Sequence, residues 1–264
     1  MGSQADAPRQ LTVLVTGFGP FREQYPVNPS WEIARDLPSF LPAQRAKDPL
    51  SRHADVVIPP VRILVHPEAV RVSYEVVRRL VPGMWETYRG HPQHVDFVVH
   101  VGMAGERPCY RIERRAHRGG YLTRDVDDLL PFEETTGDRG PAWEWYGVPD
   151  VLETELDMPD VLARWQSYSP PDLDLELSDN AGRYLCEFIY FSSLAVLWKA
   201  QRPRNVVFLH VPATATDVTI ARGRELLLNL IRAIVESAEI RDERARRRAK
   251  LAGEGGSQGE QRIL

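Results

Sequence analysis

The sequence predicts an α/β fold on a largely parallel sheet, and three observations predict it. Short runs such as "LTVLV" at 11–15, "HVDFVVHVG" at 94–102 and "NVVFLHV" at 205–211 are nearly all apolar, as strands covered on both faces are. Stretches with apolar groups at helical spacing alternate with them. No internal repeat or linker divides the 264 residues, so the alternation reads as a single α/β domain over 11–240.

Taken in order, residues 1–10 are polar and are expected to be a disordered lead-in. The strand at 11–15 runs into the Gly/Pro loop "TGFGPF", and a helix follows near Ser30–Leu37, with Ser30 as its N-cap and Glu32 in its first turn. "HADVVIPPV" predicts a strand at 53–58, stopped by Pro59 and Pro60. Residues 67–81 have helical periodicity with Pro67 at a helix-opening position, and 94–102 is the next strand. The stretch 103–150 is rich in loop residues, and 124–175 is an acidic, loop-rich insert carrying Trp143, Trp145 and Trp165. Within it lies a short helix at 158–165; "PPDLDLELS", 170–178, alternates leucine with acid and predicts an edge strand. A helix over 183–199, the strand 205–211 and a long amphipathic helix complete the domain. The tail 241–264 is charged, then Gly/Ser/Gln-rich, and is expected to be disordered toward its end.

Charge and cysteine usage narrow the function. A formal charge of −4 gives no basic domain for nucleic acid. The most apolar helical run, 186–198, contains Glu187 and is shorter than the roughly 20 residues a bilayer requires, so no membrane role is expected. Two cysteines make no disulfide framework and suit a reducing compartment, and "MGSQADAPRQ" lacks an apolar signal core; a cytoplasmic location is expected.

In parallel α/β sheets, sites gather beyond the carboxyl ends of strands. Four segments follow strands: "TGFGPF", "GMAGERPCYRIERRAH", "SDNAGRYLC" and the end of "NVVFLH". If those strands run parallel, Cys186, His210 and an acid from 103–113 meet at one sheet edge. A thiolate is the reactive form of cysteine, and both a helix N-terminus and a nearby imidazole lower the thiol pKa, so Cys186 in the first turn is expected to ionise readily. Yet a cysteine amid Tyr184, Leu185, Phe188 and Ile189 also suits a core, and His210 alone suits a structural role; these residues leave both readings open.

"VTGFGPF…VNPSWEIA", "VVHVGMAG…RIERRAHRGGY" and "DNAGRYLCEFIYFSSL…FLHVP" resemble, in order over 11–212, the signature stretches of pyroglutamyl peptidase type I, closer to its animal than its bacterial members. The resemblance implies a three-layer α/β/α domain like that of nucleoside phosphorylases. It also implies a thiol peptidase that removes N-terminal pyroglutamate (5-oxoproline) from peptides, with no metal or other cofactor. By position, Cys186 matches the nucleophile, His210 the general base and acid, and Glu113 the third member. Phe18 and Phe21 fall where aromatics pack around the lactam ring, Tyr184 closes its other face, and Asn28 braces the opening loop. Met103 stands where bacterial members have glutamine, which implies that backbone groups read the lactam. Backbone N–H groups of the opening loop and of the helix start would hold the oxyanion.

The chain departs from the family at Arg22-Glu23, Glu106-Arg107-Pro108 and Arg118, and by its acidic insert, which bears on substrate range more than on the reaction. A pocket-keeping homologue that binds pyroglutamyl peptides without turnover is the alternative; a phosphorylase activity has only the shared fold behind it. His91 and His94 read as a surface turn rather than a metal site, His100 and His117 as structural, Cys109 as a bystander thiol, and 241–250 as a solvated helix end.

Overall fold

The computed structural model describes residues 9–21, 23, 25–42, 58–87, 94–105 and 109–257. Strand β1 (Leu11–Gly17) is buried along its whole length, as its β-branched and leucine run requires. It pairs in parallel with β2 (Val61–Val65) on one side and β3 (Phe97–Met103) on the other. β3 in turn pairs in parallel with β8 (Val206–Val211). Beyond β8 come β4 (Tyr110–Glu113) and the edge strand β7 (Leu175–Ser178), parallel to each other but antiparallel to β8. The six-stranded order is β2-β1-β3-β8-β4-β7. A separate two-stranded ribbon joins β5 (Arg115–His117) to β6 (Val151–Glu153).

Strand alternation sorts the sheet into two buried faces. Val13, Val15, Val99, Val101, Ile112, Val207 and Leu209 face α1 (Pro29–Ala34), α4 (Met158–Tyr168) and α6 (Asp217–Ser257). Leu14, Val98, Val206 and Phe208 face α2 (Tyr74–Thr87) and α5 (Leu185–Lys199). This is the expected three-layer α/β/α arrangement. Helix α5 is buried almost all round, matching its uniformly apolar sequence. Each fully buried aliphatic side chain contributes about 1.5–3 kcal/mol, so the two layers supply the main stabilisation.

Several elements differ from their sequence-based placement. The first helix is capped by Asn28 rather than Ser30: Asn28 Oδ1 accepts from Ser30 N at 3.1 Å, and Pro29 opens the helix. The expected strand at 53–58 falls mostly on 53–57, outside the described residues; β2 begins just after Pro59-Pro60. Helix α2 starts at Tyr74, not Pro67, because Val70 exchanges backbone hydrogen bonds with the opening loop (Val70 N to Gly17 O and Gly19 N to Val70 O, each 2.9 Å). A tertiary pairing overrides the local periodicity there. Helix α6 continues to Ser257, through the charged stretch assigned to the tail. The expected lead-in falls almost wholly on 1–8, outside the described residues.

The insert 124–175 is built into both layers. Trp145 packs against Phe188 and Phe191 of α5, with ring centroids 4.9 and 4.7 Å apart. On the opposite face Trp165 is fully buried and donates from Nε1 to Leu226 O at 2.8 Å. Its short helix α3 (Phe132–Thr136) ends on Gly137 in the left-handed conformation, φ 72°.

Candidate active site

Glu113, Phe208 and His210 share the sheet face covered by α5. Phe208 is a core residue of that face, His210 lies two positions on, and Glu113 is the register partner of Phe208. Glu113 therefore reaches along the sheet to His210, and its Oε1 lies 2.8 Å from Nδ1. The pair is removed from water, at 0% exposure for Glu113 and 4% for His210. A carboxylate on Nδ1 holds that nitrogen as the N–H donor and leaves Nε2 as the basic one. Tyr190 of α5 locks the end of β4, its hydroxyl donating to Glu113 O at 2.9 Å.

Cys186 occupies the second position of α5, after Tyr184 as N-cap. Gly102 of β3 is the register partner of His210, and a Cβ built on Gly102 would lie 2.9 Å from Cys186 Sγ. The sulfur thus sits above the sheet in space left by a missing side chain, one strand over from His210. Among the described residues no hydrogen bond joins Sγ to the imidazole.

The convergence does not arise as the sequence suggested. β4 and β7 run antiparallel to β8, so the segments before Cys186 and around Glu113 do not leave the sheet at the same edge as those after β1, β3 and β8. Glu113 reaches His210 by cross-strand register instead. The chain after β7 turns back through Gly182 (φ 85°) and Arg183 (φ 25°) to start α5 above Gly102.

That turn is fastened by Glu187, which the sequence reading did not single out. Glu187 is fully buried and accepts from Arg183 N (2.8 Å), Arg183 Nη1 (2.9 Å), His117 N (3.0 Å) and His117 Nδ1 (2.7 Å). It thereby joins the ribbon strand β5 to the helix start. The available signal was its place, third in the helix after the N-cap, where a glutamate reaches back over the entering chain. An arginine at φ 25° stores backbone strain of about 1–3 kcal/mol, which this carboxylate offsets.

Electrostatics correct a second expectation. Burial pushes the Cys186 thiol up to about 12, and the negative charge of Glu113 adds to the rise; the backbone N–H at Cys186 opposes both without overcoming them. Burial therefore favours the neutral thiol and opposes the ready ionisation expected at a helix N-terminus.

Phe18, Phe21, Asn28, Met103, Tyr184 and Cys186 line one pocket, together with Val72 and Leu185. Every substrate-contact residue inferred from sequence is present there. Asn28 braces the loop: Nδ2 donates to Gly19 O at 2.9 Å, while Oδ1 accepts from Ser30 Oγ at 2.8 Å. Phe21 and Tyr184 have ring centroids 6.4 Å apart, and Tyr74 meets Tyr184 edge-on at 6.1 Å. Two N–H groups of the opening loop, where oxyanion donors are expected, are already used, Phe18 N by Ser30 Oγ (3.0 Å) and Gly19 N by Val70 O (2.9 Å). The first-turn N–H groups of α5 remain.

His100 is structural by its contacts: fully buried, with Thr16 Oγ1 on Nδ1 and Ser193 Oγ on Nε2, both at 2.8 Å. Burial lowers its pKa to about 3. His91 lies outside the described residues. Among the described residues, Cys109, Asp174 and Glu176 bring metal-ligating atoms within 4.8 Å of one another, away from the pocket lining. No described helix is long and apolar enough to cross a membrane.

No family model matches the chain. Human pyroglutamyl-peptidase 1 is 30% identical over 231 residues, covering 88% of this chain and 90% of the human protein. The mouse pyroglutamyl-peptidase 1 is 29% identical over 237 residues, 89% and 95% of the two chains. A Bacillus cereus pyrrolidone-carboxylate peptidase is 24% identical over 229 residues, 86% and 90%. The animal sequences are thus nearer than the bacterial one. Among solved structures, the pyrrolidone carboxyl peptidase of Thermococcus litoralis superposes with a TM-score of 0.63 at 17% identity, covering 87% of this chain and 95% of that one. A Pyrococcus furiosus pyrrolidone carboxyl peptidase mutant gives 0.60 at 21%, covering 86% and 98%. At those identities the superpositions establish the fold.

Proposed function

The chain belongs to the pyroglutamyl-peptidase I family, and from that premise we propose that Cys186, His210 and Glu113 release N-terminal pyroglutamate from peptides. The observation that carries the assignment of residues is the buried Glu113–His210 pair at 2.8 Å, on the sheet face over which Cys186 Sγ sits.

The pyroglutamyl ring is a flat, neutral lactam and suits the slot between Phe18, Phe21 and Tyr184. Met103 presents no hydrogen-bonding group there, so backbone atoms fix the lactam. Because the thiol is neutral at rest, His210 Nε2 takes its proton as sulfur attacks the carbonyl, and Glu113 stabilises the imidazolium. The oxyanion is held by first-turn N–H groups of α5. The imidazolium then protonates the departing amine, leaving a thioacyl enzyme; His210 next deprotonates the water that frees pyroglutamate.

Both thiols are free, and we assign the reaction to the cytoplasm, where thiols stay reduced. The test is hydrolysis of a pyroglutamyl-coupled fluorophore. Wild type turns over, while Cys186→Ser and His210→Ala lose turnover with unchanged circular dichroism. Turnover retained by either variant removes that residue from the mechanism, and a wild type that binds without turnover makes the protein a pyroglutamyl-peptide-binding homologue.

A further inference from the structure

Arg111 is the antiparallel register partner of His210. Directly opposed residues of such a pair project from the same face of the sheet. Ile112 belongs to the core on the far side, which fixes the odd-numbered residues Arg111 and Glu113 on the face of Phe208, His210 and α5. Arg111 therefore projects from the same face as the imidazole assigned to proton transfer, on the neighbouring strand β4 and on the side of β8 away from β3.

Among the described residues no hydrogen bond or ion pair to this guanidinium is found. Arg111 is half-buried, and its Nε is shut off from water without a hydrogen bond. Among the described residues it forms no ion pair, although Glu176, its neighbour on β7, projects from the same face. Asp174 and Glu176 converge instead on Cys109, two residues before Arg111. A buried N–H without an acceptor is unfavourable, and a planar fork of donors matches a carboxylate. Such a donor set suits an anion that arrives from outside.

We propose that Arg111 binds the α-carboxylate of the departing amino acid, so that the protein prefers pyroglutamyl dipeptides with a free C-terminus over amidated or longer substrates. The proposal rests on the catalytic reading above, because it needs the leaving amine at His210. With the amine there, the α-carboxylate of a dipeptide lies one carbon further on, toward the neighbouring strand; in a longer peptide that position is a neutral carbonyl. Charge discriminates the two, with the arginine as a fixed bidentate site.

The experiment compares kcat/KM for pyroglutamyl-alanine and pyroglutamyl-alaninamide, equal in shape and different in charge. We expect the wild-type chain to favour the acid by about tenfold or more. Raising KCl to about 0.5 M should shrink that ratio. Arg111→Gln should bring it near one, and Arg111→Lys should retain part of it. A wild-type ratio near one or below overturns the proposal while leaving the peptidase reading intact. An Arg111→Gln that slows both substrates equally also overturns it, by making Arg111 a positioning residue. Cleavage of neither substrate by wild type sinks the catalytic reading and this proposal together. The wild-type ratio and its salt dependence decide the matter even if the variants do not fold.

Discussion

Gly102 is empty where Cys186 needs room: a Cβ on Gly102 would lie 2.9 Å from Sγ and 2.5 Å from Phe208 Cζ. One methyl group would press on the sulfur and on the aromatic ring next to His210, whose centroid is 4.7 Å from that of Phe208. Gly102→Ala is expected to lower thermal stability by about 1–3 kcal/mol, as overpacking does, and to cut kcat by at least about tenfold. A full-rate Gly102→Ala enzyme would show that the sulfur does not act from this position.

Glu113→Gln keeps the shape of the side chain and removes its charge beside His210. The amide no longer stabilises the imidazolium and can support the wrong tautomer. Activity on the pyroglutamyl fluorophore should fall by about a hundredfold or more, with little change in KM. Steady-state kinetics checks this, and a change confined to KM would assign Glu113 to binding instead.

The elevated thiol pKa has a direct chemical readout. With burial holding Cys186 near 12, little thiolate is present in the free enzyme at neutral pH. Alkylation of Cys186 by iodoacetamide should accelerate with each pH unit between about 7 and 10, with no plateau. A plateau at pH 6–8 in the substrate-free protein would reveal a preformed thiolate–imidazolium pair and contradict the neutral resting state. Mass spectrometry separates Cys186 from Cys109, which is buried and raised as well.

Glu187 accepts four hydrogen bonds at the turn before the nucleophile. Removing a buried carboxylate strands His117 and the strained Arg183 backbone. Glu187→Ala should cost about 3 kcal/mol in urea unfolding and most of the activity, and Glu187→Asp should restore part of both. Wild-type stability in Glu187→Ala would mean that the turn is held by other contacts.

His100 predicts the acid behaviour of the fold. Its folded-state pKa is depressed to about 3, whereas an unfolded chain takes up the proton near 6.5. Stability from this residue is complete above the unfolded value and is lost as pH falls toward the folded one, at up to about 1.4 kcal/mol per unit. His100→Gln, which can still bond Thr16 and Ser193, should flatten the fall of the urea midpoint between pH 6.5 and 4. An unchanged slope would place the acid sensitivity elsewhere.

Much of this is legible in the sequence. The apolar runs that became β1, β3 and β8, and the long apolar helix α5, are determined by composition and period, because burial on both faces leaves few polar positions, His100, Glu187 and His210 among them. Cys186, His210 and Glu113 were nominated from the sequence, as were Phe18, Phe21, Asn28, Met103 and Tyr184, which do share a pocket. The sign of the thiol shift, the direction of β4 and β7, the roles of Gly102 and Glu187 and the half-buried position of Arg111 were decided by tertiary structure alone. The reason is one of range. Period and propensity act within a few residues, whereas strand direction, register and burial are set by chain segments about a hundred positions apart, such as Glu113 and His210 at a separation of 97.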